Sequence, residues 1–277
     1  MLGGSIQSCL NQDYKNFELI IVDDGSNDNT ESVVKEFIKK DSRIKYLKKK
    51  NEGLPKALNY GFERAKGRFF TWTSDDNYYR EDALKIMTDE LIKNDKHRLV
   101  YCDYVLIDDN GNDLGKVFRK DASYIVKEPT IGACFLYSSD CAKVVGEYDP
   151  KWVLVEDAEF FVRFAKLYPC KHIGGIHPYF YRIHHKSLAW SEYENVQKTT
   201  YNMFASHSKN IFYKLKLYYK YNYDCAIWAY NKGNKNSFIY LIKCLMMRPY
   251  AVELWIFLVK IILPESAKIF FRKNKKK

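Results

Sequence analysis

Over the first two-thirds of the chain, short β-branched apolar runs alternate with stretches whose apolar residues recur at helical spacing. Residues 18–22 read as a buried strand that ends at Asp23-Asp24-Gly25-Ser26. Thr30 then caps a helix carrying Val33, Val34, Phe37 and Ile38 on one face. Residues 43–47 read as a second strand, followed by a turn at Asn51-Glu52-Gly53. Pro55 suits the first turn of a helix running to about Ala65, where Gly67 stops it. A third strand over 69–73 ends at Ser74-Asp75-Asp76-Asn77. A helix over about 81–93 follows, then a strand over about 99–107 and a hairpin turn at 109–112 into residues 114–118. Residues 134–137 are strand-like, 139–145 helical, 156–168 an amphipathic helix and 179–183 a last strand. This alternation predicts α/β layering with a mostly parallel sheet flanked by helices. Beyond Ser191 the pattern is all-helical, broken at 231–234, at Arg248-Pro249 and at Pro264. The boundary falls near residue 190, separating an α/β domain, 1–190, from a helical region, 191–277.

Charge sharpens that boundary. The 277 residues carry a formal net charge of +11, but residues 199–277 hold 15 Lys and Arg against 3 Asp and Glu, a net of +12. The acidic groups therefore belong to the first part. A hydrophobic content of 47% excludes a disordered chain. The seven cysteines are odd in number and scattered without a CxxC pair, which favours reduced thiols over a disulfide framework or a zinc site. The start lacks a signal-peptide pattern. The most apolar stretch, 251–263, is interrupted by Glu253 and Lys260 and is shorter than the roughly 20 residues that span a bilayer.

Ligands of open parallel sheets bind beyond the carboxyl ends of the strands. Two acidic pairs, Asp23-Asp24 and Asp75-Asp76, occupy such ends. One loop of this kind reads equally as a turn, since Asp, Gly, Ser and Asn make turns; two at equivalent positions suit a divalent cation, Mn²⁺ or Mg²⁺, and a phosphate-bearing ligand. A third pair, Glu156-Asp157, opens a helix, with Asp157 on the face of Phe161 and Phe164. An acid there serves as a tuned general base or as a partner of the helix dipole.

These residues carry a resemblance. Ser5-Ile6-Gln7-Ser8-Cys9-Leu10-Asn11-Gln12, Val22-Asp23-Asp24-Gly25-Ser26, Asn51-Glu52-Gly53, Ala65-Lys66-Gly67 and Trp72-Thr73-Ser74-Asp75-Asp76-Asn77 resemble, in that order, family-2 glycosyltransferases of GT-A fold. Glu156-Asp157 is similar to the family's ED motif, and Tyr181-Arg182-Ile183-His184 to its late YRxH motif. The resemblance implies that Asp23, Asp24 and Asp75 contact the donor nucleotide and that Asp157 is the catalytic base. It further implies that Asp76 and His184 approach the metal, with His185 a weaker candidate. The implied reaction is an inverting, metal-dependent transfer from a nucleoside-diphosphate sugar, a UDP-sugar, to a glycan or lipid-linked acceptor in surface polysaccharide or lipopolysaccharide synthesis.

The resemblance also implies a strand ahead of the helix at residues 4–11, whereas the chain begins inside that helix. A start assigned at an internal Met, or a truncated copy, would leave neighbouring strands with unpaired backbone, low stability and weak donor binding. A catalytically impaired homologue that only binds membrane or a partner is therefore the alternative. A sugar nucleotidyltransferase would carry a Gly-rich phosphate loop after its first strand, and none is present. The basic, aromatic-rich residues 199–277 fit either an anionic membrane surface or a solvated helical domain. Nucleic acid is not expected, since no RRM, KH or helix-turn-helix signature occurs. The expected location is cytoplasmic, peripheral on the inner face of the cell membrane.

Overall fold

In the computed structural model, which describes residues 1–184, 187 and 191–262, helix α1 (Leu2–Leu10) buries Ser5, Ile6 and Cys9 and leads into strand β1 (Leu19–Asp23). His185, Pro264 and the Lys-rich tail lie outside the described residues. The chain divides into two units, Met1–Ser191 and Glu192–Lys277.

In the first unit, helix α2 (Thr30–Ile38) connects β1 to the parallel strand β2 (Ile44–Lys48), the crossover that a parallel pair requires. Helix α3 (Leu54–Arg64) starts with Pro55 in its first turn. Strands β3 (Phe69–Phe70) and β4 (Tyr78–Tyr79) precede helix α4 (Ala83–Lys93). Next come β5 (Leu99–Cys102), β6 (Tyr104–Ile107), β7 (Asp113–Val117) and β8 (Phe135–Ser138). Helices α5 (Ser139–Val145) and α6 (Glu156–Leu167) and strands β9 (Cys170–Ile173) and β10 (Tyr179–Arg182) complete the unit.

The α/β layering follows the periodicity, while the sheets are mixed rather than mostly parallel. One sheet has the order β4-β10-β6-β7 and another β3-β8-β5-β9. Pairs β1–β2, β6–β10 and β5–β9 are parallel, whereas β4–β10, β6–β7, β3–β8 and β5–β8 are antiparallel. The turn closed by Asp108 and Asn112 is too short for a crossover, so β7 must return antiparallel to β6. The run 99–107 is not one strand. It breaks at Asp103, 1% exposed, whose carboxylate accepts from the backbone N–H of Arg119 (2.7 Å) and Gly175 (2.8 Å) and from His172 Nε2 (2.7 Å). Satisfying that charge steers β5 and β6 into different sheets.

Strands β5 and β8 are buried on both faces, and their side chains alternate accordingly. Leu99, Tyr101, Phe135 and Tyr137 pack on Phe160, Phe161 and Phe164 of α6. Val100, Cys102, Cys134 and Leu136 pack on Ala83, Met87 and Leu91 of α4. All seven cysteines are free.

A gap interrupts the layer beside β1. Leu19 N–H donates to Arg43 O, and Asp23 O accepts from Lys49 N–H, both at 2.9 Å. A parallel ladder of that phase points the backbone groups of Leu19, Ile21 and Asp23 at β2 and those of Ile20 and Val22 at the opposite edge. Among the described residues no strand pairs with that edge, which borders a cavity of about 1070 Å³ between α1, β1, α3 and β3. Only the first two residues of the expected strand 69–73 pair, and Thr71, Trp72 and Thr73 line the same cavity.

The second unit contains α7 (Tyr193–Ser206), α8 (Ile211–Asn231), α9 (Asn236–Met247) and α10 (Val252–Ile262). Asn210 caps α8 by accepting from Tyr213 N–H at 3.1 Å. Ala226, Leu241, Cys244, Leu245 and Leu254 form its core.

Candidate active site

The loop after β1 is built around its two carboxylates. Asp23, 3% exposed, accepts from Ser26 N–H at 2.7 Å and from the Tyr46 hydroxyl. Burial pushes its pKa up, but these hydrogen bonds and nearby Lys48 outweigh that and hold it below the usual carboxylate range. Asp24 accepts from Lys49 Nζ at 2.8 Å and from the backbone N–H of Gly53 at 2.7 Å, tying its loop to Asn51-Glu52-Gly53. Gly25 makes this approach possible: its φ is +86°, and a Cβ there would meet Asn51 N at 2.9 Å.

The second acidic loop is held by β10. Asn77 is buried and accepts from Arg182 N–H at 2.7 Å, while Arg182 Nε donates to Asp76 O at 2.9 Å. The same guanidinium donates to Asp108 O (2.6 Å) and Asp109 O (2.9 Å), so Arg182 fastens the acidic loop to the β6–β7 turn. Asp75 is exposed at the cavity rim near Asp23 and Ser74. Asp76 Oδ2 lies 2.9 Å from His184 Nε2, and Asp76 Oδ1 is buried without a hydrogen-bond partner.

The Oδ2–Nε2 contact has the length of an ordinary hydrogen bond. The orphaned buried carboxylate oxygen beside it calls for a positive partner, which a cation could supply. Among the described residues, no group of three or more His, Cys, Asp or Glu side chains stands together. The protein therefore offers a carboxylate and an imidazole, as suits an ion that takes further oxygens from phosphate and water.

The third acidic pair opens α6 after Leu154, the only described non-glycine residue with positive φ (81°). Val155 occupies the N-cap without a side-chain cap, so neither acid caps the helix by its N-cap position. Asp157 Oδ1 accepts from Ala158 N–H at 2.6 Å. Burial raises its pKa, opposed by that backbone and by the charge of Arg119. Burial, then the neighbouring Asp157 charge, lifts Glu156 to about 7; its Oε2 is buried with no partner.

Sequence reasoning missed the residues that connect the loops. Burial raises Tyr181 to about 12, and the charges of both Asp76 and Asp157 reach it. Tyr104, its ring centroid 5.9 Å from that of Tyr181, also feels Asp157. Arg119 is oriented by Thr130 O and Pro129 O, each at 2.6 Å. The charges of Asp76, which contacts His184, and of Asp157 thus both act on Tyr181, beside Tyr104; Asp23 and Asp75 line the adjoining cavity, and Asp24 is tied to the Asn51-Glu52-Gly53 turn instead.

Residues 1–139 match the family model described as "Glycosyl transferase family 2". The chain belongs to that family. An uncharacterized glycosyltransferase of Rickettsia typhi is 33% identical to this family-2 glycosyltransferase over 174 residues, 59% of this chain and 54% of that protein. A GalNAc(5)-diNAcBac-PP-undecaprenol beta-1,3-glucosyltransferase of Campylobacter jejuni is 34% identical over 134 residues, 46% of this chain and 42% of that protein. The chain thus spans about half the length of these relatives.

Two solved structures share its fold. The mannosyltransferase PcManGT of Pyrobaculum calidifontis, in complex with GDP-Man and Mn²⁺, superposes with TM-score 0.61 at 14% identity over 93% of this chain and 81% of that one. A fragment, 1–349, of S. aureus TarS in complex with UDP-GlcNAc gives TM-score 0.60 at 17% identity over 78% and 66%. The family-2 chain is therefore of GT-A fold.

Proposed function

We propose that this family-2 glycosyltransferase moves a sugar from a UDP-sugar to a hydroxyl of a glycan or lipid-linked acceptor, with inversion, in surface polysaccharide or lipopolysaccharide synthesis. The observation that supports the reading is the Asp76–His184 contact, with the buried Asp157 at the start of α6 and the charges of both acids acting on Tyr181. One acid suits proton removal, and a second carboxylate suits a cation-bound diphosphate. The undecaprenol-linked name of the Campylobacter relative and the nucleotide sugars in the two solved structures support the substrate classes.

Asp157 takes the proton of the acceptor hydroxyl while that oxygen bonds to the anomeric carbon. The anomeric C–O bond breaks, its electron pair leaves with the nucleoside diphosphate, and one displacement inverts the centre. The raised pKa makes Asp157 a stronger base than an exposed carboxylate. Asp76 and His184 would hold Mn²⁺ or Mg²⁺, which when bound offsets negative charge on the diphosphate. Asp23 and Asp24, fixed by their loop partners, and the exposed Asp75 orient the nucleotide.

The enzyme works on the cytoplasmic side, peripheral to the inner face of the cell membrane. The charge of +12 on residues 199–277 supports the membrane contact; among the described residues no helix is long and apolar enough to cross a membrane. Incubation with a panel of sugar donors and acceptors tests the reaction. Release of nucleoside diphosphate with glycosylated acceptor is expected; release of pyrophosphate, or no product from any donor, contradicts it.

A further inference from the structure

Helix α10 is apolar on two opposite faces, and its own unit uses only one of them. Leu254, Phe257, Leu258 and Ile261 pack into the core with Leu241 and Cys244. At about 100° per residue, Val252, Trp255, Ile256, Val259 and Ile262 fall on the opposite side. They are 67%, 49%, 53%, 53% and 64% exposed. Met246, near the end of α9, and Tyr250, between the two helices, are also exposed, at 79% and 94%. Trp255 Nε1 donates to Pro249 O at 2.8 Å, so the indole enters an apolar medium with its one donor satisfied.

The polar surroundings select the occupant. Arg248 and Lys260 are exposed beside the stripe, with one acid, Glu253, exposed on the side of Lys260, and residues 199–277 carry +12. A second copy laid on this face would bring an equal positive charge against it. A nucleic acid matches the charge but offers no apolar layer for Trp255 or Ile256. An anionic bilayer interface supplies both: acyl chains for the stripe and anionic headgroups for the cations. The described part of α10, 11 residues or about 16 Å, is long enough to lie along that interface.

We propose that the outward face of α10, with Met246 and Tyr250, seats the enzyme on anionic lipid. This deepens the peripheral placement proposed above by naming the contact surface and the lipid charge. The test is sedimentation of the full chain, without sugar donor, on phosphatidylcholine vesicles with and without phosphatidylglycerol. The wild type should sediment only with the anionic vesicles. The double variant Ile256→Asp/Val259→Asp should bind them at least tenfold more weakly while keeping the wild-type circular dichroism and melting temperature.

Unchanged binding by that folded variant overturns the proposal, as does equal binding to neutral vesicles. Concentration-dependent dimerisation abolished by the same substitutions would assign the face to a second copy instead. Should the variant not fold, brominated anionic lipid decides with the wild type: quenching of Trp255 emission, referenced to Trp255→Phe, supports immersion, and no quenching refutes it. Asp157→Asn should retain full vesicle binding, so a failed transfer assay and a failed docking assay remain distinguishable.

Discussion

Glu156 should set a pH-dependent destabilisation that Glu156→Gln removes. The side chain is 5% exposed, and burial with the adjacent Asp157 charge moves its pKa from 4.5 to about 7. In the unfolded chain it ionises near its ordinary value, so between those limits the folded state binds more protons than the unfolded one. Stability therefore falls as pH rises through that window and stays lowered above it. At about 1.4 kcal/mol per pKa unit, the gap corresponds to about 3 kcal/mol. Gln cannot ionise, and its buried amide costs a fixed amount, about 1–2 kcal/mol, at every pH. The stability difference between Glu156→Gln and wild type should shift by about 3 kcal/mol in the variant's favour from below pH 4.5 to above pH 7. Urea unfolding of both proteins across that range measures it, because titrations of groups away from the Glu156-Asp157 pair cancel in the difference. A difference that stays constant with pH would refute the reasoning, for Glu156 would then ionise in the folded protein as it does in water.

Asp76→Ala should weaken Mn²⁺-dependent donor binding while leaving metal-free binding unchanged, as calorimetry with and without Mn²⁺ will show. Gly25→Ala should cost more than about 1 kcal/mol, because φ is +86° and the new Cβ meets backbone at Asn51; thermal melting checks it. Along β1, the amides of Ile20 and Val22 should exchange with solvent deuterium much faster than those of Leu19, Ile21 and Asp23, which face β2. Equal protection along the strand would mean that the cavity edge is covered.

The elements read most faithfully from sequence were those set by local pattern. A continuous apolar run marks β1, alternation of apolar residues with Lys marks β2, and Pro55 marks the start of α3. The division of 99–107 was invisible, because it depends on His172 and Gly175, about seventy residues away, converging on Asp103. The two-residue β4 is too short for any period, and Cys170–Ile173 (β9) mixes Lys and His into its pattern. In the site, the acidic pairs showed themselves because carboxylates in turn-forming strings followed apolar runs. Arg119 and Tyr104 did not, since single residues acquire meaning only through the tertiary neighbours that the fold supplies; Tyr181, within the YRxH motif, showed no role of its own. Arg182 lay within a recognised motif, yet its clamp on Asp76, Asp108 and Asp109 emerges only from geometry. The outward stripe of α10 read as part of one apolar run, because packing alone separates its two faces.

The central claim is that Asp157 is the base of a sugar transfer, and Asp157→Asn tests it most directly. Turnover should fall by about 10²–10⁴-fold, the contribution of a positioned general base, while donor affinity by calorimetry stays within a factor of two or so of wild type. Normal turnover by the folded variant would contradict the assignment.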